Sequence, residues 1–273
     1  LALHRLNIET IAIQERYTLP YAGNYNVVVD NYLVWGYHTE NMIDESIGES
    51  FVGNYIVTGP PRSDKINTHT LKLNKSLRKK FVVYSNSPEP DICANKQAFA
   101  HSWINIHGLL VDVLELANKF PECDFVIRAK HTGWDRIDYF MDILEVLNQK
   151  KNIEISSNYD KMDVSYTLLS DAYAIIGHHT SIADEGLCCG IPVLFHDFGP
   201  NVDSIYAKNY SYDGLDFFTK SSDDFQSKFF NYFIKGQYPA EIMSYVEKAY
   251  RGICDGNVLK RIGYVLEEIV GEN

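Results

Sequence analysis

The sequence predicts an α/β protein: a Rossmann-like parallel sheet with helices on both faces, preceded by a partial second α/β unit. Three observations predict it. From residue 81 onward, apolar runs of strand length alternate with segments of ten or more residues at helical spacing. The stretch Asp171 to His196 reads as strand, small polar turn, helix and second strand. A polar, basic stretch over 67–80 separates this region from a shorter alternation before it, and the domain boundary is placed there.

Residues 1–66 read as the end of one α/β unit. Thr10 to Gln14 is a short buried strand, and Glu15 to Asn26 a loop. Val27 to Asp30 and Tyr32 to Trp35 are two apolar runs, the second closed by Gly36. Thr39 to Ile47 is a short helix capped by Thr39, and Asn54 to Thr58 a strand. Gly59-Pro-Pro-Arg-Ser-Asp64 breaks the chain. The second unit, 81–273, begins with strand Phe81 to Tyr84. A helix follows within 98–120, with Ile106, Leu109, Leu110 and Val113 at helical spacing. Strand 125–127, helix 135–149, strand 153–155 and helix 161–170 come next. The opening stretch contributes strand 172–176, helix 182–189 ending at Gly190, and strand 191–195. Helices at 221–234, 239–251 and 256–271 close the unit.

The balance of 36 acidic against 25 basic side chains gives a formal charge of -11. That surface repels nucleic acid and anionic lipid. Five cysteines without a C-x-x-C spacing read as reduced thiols, so the expected compartment is cytoplasmic. No apolar run is long enough to span a membrane. The start at Leu1 leads us to expect a fragment of a longer protein.

In an open parallel sheet, ligands bind at the carboxyl ends of the strands. Those ends carry Ser85, Asn86 and Ser87; Arg128, Lys130 and His131; His178, His179, Thr180 and Ser181; and His196 with Asp197. An Arg fork and a Lys charge suit phosphate, although a solvated strand end is the plain alternative. His131 could bind phosphate or move a proton; a surface loop histidine is its alternative. Adjacent His178 and His179 point to opposite sides, which disfavours one shared metal ion. One histidine is expected to face the ligand while the other packs. Thr180 and Ser181 begin a helix whose free N–H groups could hold an anion. Glu185 lies one turn on, where it could accept from a ribose diol or simply favour the helix start. Asp184 is expected to face solvent.

These motifs resemble those of the GT-B glycosyltransferases, nearest to bacterial capsule and O-antigen (Kdo-type) transferases and CDP-glycerol glycerophosphotransferases. Ile11 to Gln14, Val29 to Gly36 and Val57 to Asp64 resemble the end of a GT-B N-terminal domain with its "Gly-x-Pro-Arg" run. Phe125 to His131 resembles the "Arg/Lys-x-His" strand end. Asp171 to Val193 resembles the "Asp … Thr-Ser … Glu … Gly-x-Pro" donor motif. The resemblance implies an enzyme that moves a sugar from a CMP-, CDP- or UDP-linked donor to a glycan or lipid-linked acceptor, without a cofactor or metal. The helix start at Thr180 and Ser181, with Arg128, Lys130 and His131, would hold phosphate, and Glu185 the ribose. Gln14-Glu-Arg16 departs from the usual Gln-His-Gly, so no histidine base carries over, and Glu15 is the candidate in its place. Membrane contact is expected to be weak or to lie outside this chain. The alternatives are a nucleotide-sugar epimerase or hydrolase of the same architecture, and a catalytically incomplete nucleotide- or glycan-binding module.

Overall fold

A computed structural model describes residues 8–15, 27–39, 50–66, 78–85, 102–129, 133–156, 162–198, 215–250 and 253–271. The first sheet holds β1 (Ile11–Ile13), β2 (Val28–Val34) and β3 (Phe51–Val57), all parallel, in that order. The two apolar runs expected around Asp30 and Asn31 are one strand. The polar pair is tolerated inside it because each side chain finds partners. Asp30 Oδ2 accepts from Thr10 backbone N (2.8 Å) and Oγ1 (2.7 Å), and Asn31 Nδ2 donates to Glu9 Oε1 at 2.6 Å. The helix expected over 39–47 lies outside the described residues beyond Thr39.

The second sheet holds β4 (Lys79–Ser85), β5 (Cys123–Ala129), β6 (Ile153–Ile155), β7 (Ala174–Gly177) and β8 (Val193–Phe195). All pair in parallel, in the order β6-β5-β4-β7-β8. Of the expected linker, residues 67–77 lie outside the described residues, and Lys79 and Lys80 belong to β4. Period-two alternation sends the strands' side chains to opposite faces. Phe81, Val83, Ile127, Ile176 and Leu194 face α1 (Trp103–Lys119), whose Ile106, Leu109, Leu110, Val113 and Leu116 are all buried. Val82, Tyr84, Ile175, Val193 and Phe195 face α3 (Met162–Ser170) and α4 (Ser181–Cys188), through Leu169 and Leu187. Each large side chain so buried contributes roughly 1.5–3 kcal/mol.

The helix expected over 135–149 is shorter. Two 3-10 turns, Trp134–Arg136 and Asp138–Phe140, precede α2 (Met141–Asn148). Ile137 between them is extended (φ −77°, ψ 121°) and packs on the core, so tertiary packing overrides the helical spacing. The expected helix 221–234 is α5 (Ser222–Phe229) followed by a π-turn at Phe230–Ile234. The chain continues with α6 (Ala240–Tyr250) and α7 (Val258–Gly271).

The last helix returns to the first sheet. Val258 and Ile262 of α7 pack on Leu33, with Ile11 and Ile56 beside them. Asp64 holds its start: Val258 N and Leu259 N each donate to a carboxylate oxygen at 2.8 Å. Arg261 Nη1 donates to Thr58 O at 2.7 Å. Two of the four orphan N–H groups of α7 are thus satisfied by one side chain from the other half of the chain. Asp64→Ala should lower unfolding free energy by about 0.5–2 kcal/mol, the cost of a lost cap. Urea unfolding checks it; an unchanged midpoint would deny the cap a role.

Candidate functional site

The second sheet reverses its strand order between β4 and β7, and the carboxyl ends of those strands define a crevice. Tyr84 pairs with Gly177, so Ser85 lies beside the turn that begins at His178. Gly177 has φ 129°, and a Cβ there would lie 2.1 Å from Tyr84 O, so only glycine fits. The turn is held by His178 N donating to Tyr84 O (2.9 Å) and His196 N donating to Gly177 O (2.7 Å). Thr180 then caps α4, its hydroxyl accepting from Ala183 N. Thr180 and Ser181 are half-buried, so the positive end of α4 opens at the crevice.

Glu185 is 1% exposed on α4. Burial lifts its pKa to about 7, against the lowering effects of a hydrogen bond from the Tyr166 hydroxyl and the charge of Arg62; Asp184 and Cys254 add to the rise. Its Oε2 is buried and has no hydrogen-bond partner among the described residues. Arg62 Nη2 also donates to Glu15 Oε1 at 2.8 Å. One half-buried guanidinium therefore stands between Glu15, at the end of β1, and Glu185, on the second sheet's helix. The expected role of Asp184 is corrected: it is fully buried and pairs with His179 Nε2 at 2.9 Å. Helix α4 is too short and too enclosed to present a solvent face there, since all six residues from Ala183 to Cys188 are buried. Both histidines are buried as well, His178 beside His196 and His179 beside Phe195.

Arg128 lies inside β5 and is buried. Its guanidinium donates to Ser165 Oγ on α3 and to Ser156 Oγ. Ser85, Arg128, His178, His179, Thr180, Ser181 and Glu185 thus gather around three adjacent strand ends and α4. Asn86, Ser87, Lys130 and His131 lie outside the described residues. Sequence reasoning gave no role to Arg62, Tyr166 or Asp112. Asp112 interrupts the apolar stripe of α1, which is a legible signal. It pairs with His196 Nε2 at 2.7 Å and accepts from the Ser222 hydroxyl. Asp197, also buried, has neither carboxylate oxygen hydrogen-bonded among the described residues, and burial raises its pKa to about 6, with His179 opposing. A hollow of about 620 Å³ on α2 is lined by eight residues, three of them the acids Asp135, Asp142 and Glu145. Its carboxylates oppose phosphate, which the crevice does not.

No protein-family model matches the chain, and comparison with curated proteins finds no match. Solved structures do match. The wall teichoic acid polymerase TagF is 14% identical at a TM-score of 0.59, over 97% of this chain and 69% of its own. UDP-GlcNAc 2-epimerase from Neisseria meningitidis bound to UDP-GlcNAc is 19% identical at 0.53, over 88% of this chain. The S. aureus MnaA–UDP structure is 12% identical at 0.55, over 99% of this chain and 70% of its own. The fold is GT-B. The chain spans 62% of the length of the Neisseria epimerase. GT-B architecture accounts for the two parallel sheets, and these identities speak to fold alone.

The folded protein holds the Glu185 proton to higher pH than the unfolded chain does. The stability that this neutral form contributes is full below the ordinary glutamate value and is lost as pH rises through about 7. Glu185→Gln stays neutral throughout, so it should gain stability relative to wild type as pH rises from about 5 to 8. Urea midpoints of both proteins across that range check this. A constant difference would mean that Glu185 is not a buried acid.

Proposed function

We propose that this chain is the nucleotide-donor half of a GT-B glycosyltransferase, together with the adjoining part of its acceptor domain. It would move a sugar from a CMP-, CDP- or UDP-linked donor to a surface polysaccharide acceptor, glycan or lipid-linked. Residues 81–273 would form the donor unit and 1–66 the acceptor side, with α7 packed back on the first sheet. The observation that carries the reading is the pairing of an open helix start with a buried carboxylate one turn on. The N–H groups around Thr180 and Ser181 suit the donor's phosphates. The unpartnered Oε2 of Glu185 suits a ribose hydroxyl, which would end the cost of leaving it unsatisfied.

Departure of the nucleotide leaves negative charge on phosphate. The helix dipole and basic side chains would stabilise that charge without being consumed. Lys130 and His131 are the basic groups we assign to it. Arg128 we assign to fixing α3 against β5, from its bonds to Ser165 and Ser156. Glu15 is our candidate base, and Arg62 holds it on the crevice side of β1. A second reading, a nucleotide-sugar epimerase or hydrolase, draws on the likeness to UDP-GlcNAc 2-epimerase. It predicts turnover of nucleotide-sugar without any glycan. The third, an incomplete binding module, predicts nucleotide binding and no turnover.

Calorimetry with CMP, CDP, UDP and GDP tests the donor site. Binding of one should weaken by about 1–3 kcal/mol in Glu185→Ala, roughly 5- to 150-fold in Kd. Failure of all four to bind would remove the donor-site assignment. An unchanged Kd in a folded variant would reduce Glu185 to a structural residue.

A further inference from the structure

Asp197 is a buried acid for which the donor reading has no use. It is 3% exposed, and neither of its carboxylate oxygens has a hydrogen-bond partner among the described residues. Its neighbours fix the side to which it points. Strand β8 pairs with β7 in parallel, Gly177 opposite Phe195, and His196 N donates to Gly177 O at 2.7 Å. The His178 and His196 rings lie 5.8 Å apart, so the register carries on past the strand ends. One residue further, it sets Asp197 beside His179. The His196 ring lies 4.1 Å from that of Phe198, and its Nε2 pairs with Asp112 of α1 at 2.7 Å. His196 and Phe198 therefore share the α1 side. Asp197, between them, faces the other side, where His179 lies against Phe195. His179 gives its Nε2 to Asp184 at 2.9 Å and immediately precedes Thr180, the cap of α4. Three features thus follow one another: Glu185 one turn into α4, the helix start at Thr180, and Asp197 beside the residue before it.

We propose that Asp197 is the subsite for the transferred group of the donor, and that this group carries a vicinal diol. The inference rests on the donor reading and adds to it the class of group moved. A carboxylate only accepts hydrogen bonds, and its two oxygens match two neighbouring hydroxyls as a pair. Both oxygens are buried without a donor, which is a costly state, so a ligand that brings two donors gains by filling the site. A phosphate would be repelled there, and it falls to the helix start instead. The order of the three features matches the order of groups in a nucleotide-linked donor. The ribose lies at Glu185, the phosphates at Thr180 and Ser181, and the transferred group beyond them at Asp197. A sugar ring with adjacent free hydroxyls meets the requirement, and so does a glycerol unit. A group without a diol leaves both oxygens of Asp197 empty and binds more weakly.

The test compares, by calorimetry, ligands that differ only in the diol. CDP-glycerol is set against the propyl ester of CDP, and UDP-GlcNAc against its 3,4-dideoxy analogue. In at least one pair, wild type should bind the diol about fivefold or more tighter than its partner. In Asp197→Ala the two members of that pair should bind within about twofold of each other. Asp197→Asn keeps the shape and one acceptor, so it should show a reduced ratio, and it serves where the alanine variant does not fold. Wild type that binds both members of each pair equally would overturn the subsite, and this result needs no variant. The wild-type ratio retained in a folded Asp197→Ala would overturn the assignment to Asp197. Failure of CMP, CDP, UDP and GDP alike to bind would remove the donor reading and this inference with it. Binding of a nucleotide without any effect of the diol would remove this inference alone.

Discussion

The carboxyl of Glu185 sets the terms for the rest of the crevice. It is buried, its pKa is lifted to about 7, and one of its oxygens has no hydrogen-bond partner among the described residues. A buried polar atom left in that state costs on the order of 1–3 kcal/mol. The surroundings limit this cost without removing it. Tyr166 and Arg62 both act to favour the charged carboxylate, and Arg62 also bonds Glu15. Such a cost can be met by an ordered water, an ion or a ligand, and the proposed donor would meet it here.

That arrangement depends on how the two halves meet. Arg62 sits in a 3-10 turn, Pro61–Lys65, whose Asp64 caps α7 and whose Lys65 pairs with Asp163 of α3 at 2.9 Å. Gly36 allows Tyr37 N to reach Ala249 O (3.1 Å), where a Cβ would meet that same oxygen at 2.6 Å. The Lys65–Asp163 pair is exposed and worth little by itself. The capped, apolar contact of α7 with β2 does more, since it buries Val258 and Ile262 on Leu33.

The fold was readable because a parallel sheet covered on both faces leaves short apolar runs separated by helical spacing. Strands β4 to β8 fall where those runs fall, each within two residues of expectation. The misreadings have local causes. Asp30 and Asn31 looked like an interruption of β2, because their partners Thr10 and Glu9 lie twenty and twenty-two residues earlier. Ile137 broke a predicted helix by packing on the core. Within the site, Thr180, Ser181 and Glu185 were legible because cap chemistry and one-turn spacing are local. Arg62 and Tyr166 were not, since their roles arise only when distant segments approach. Asp184 misled because sequence shows a charge and not the buried His179 that answers it.

In the proposed reading, Glu185 Oε2 accepts a hydrogen bond from a ribose hydroxyl of the donor. The most direct measurement compares, by calorimetry, a nucleoside diphosphate that binds with its 2′,3′-dideoxy analogue, on wild type and on Glu185→Ala. Wild type should lose about 1–3 kcal/mol of affinity for the analogue, whereas Glu185→Ala should bind the two ligands equally. Equal binding of both ligands by wild type, or the same loss in both proteins, would contradict it.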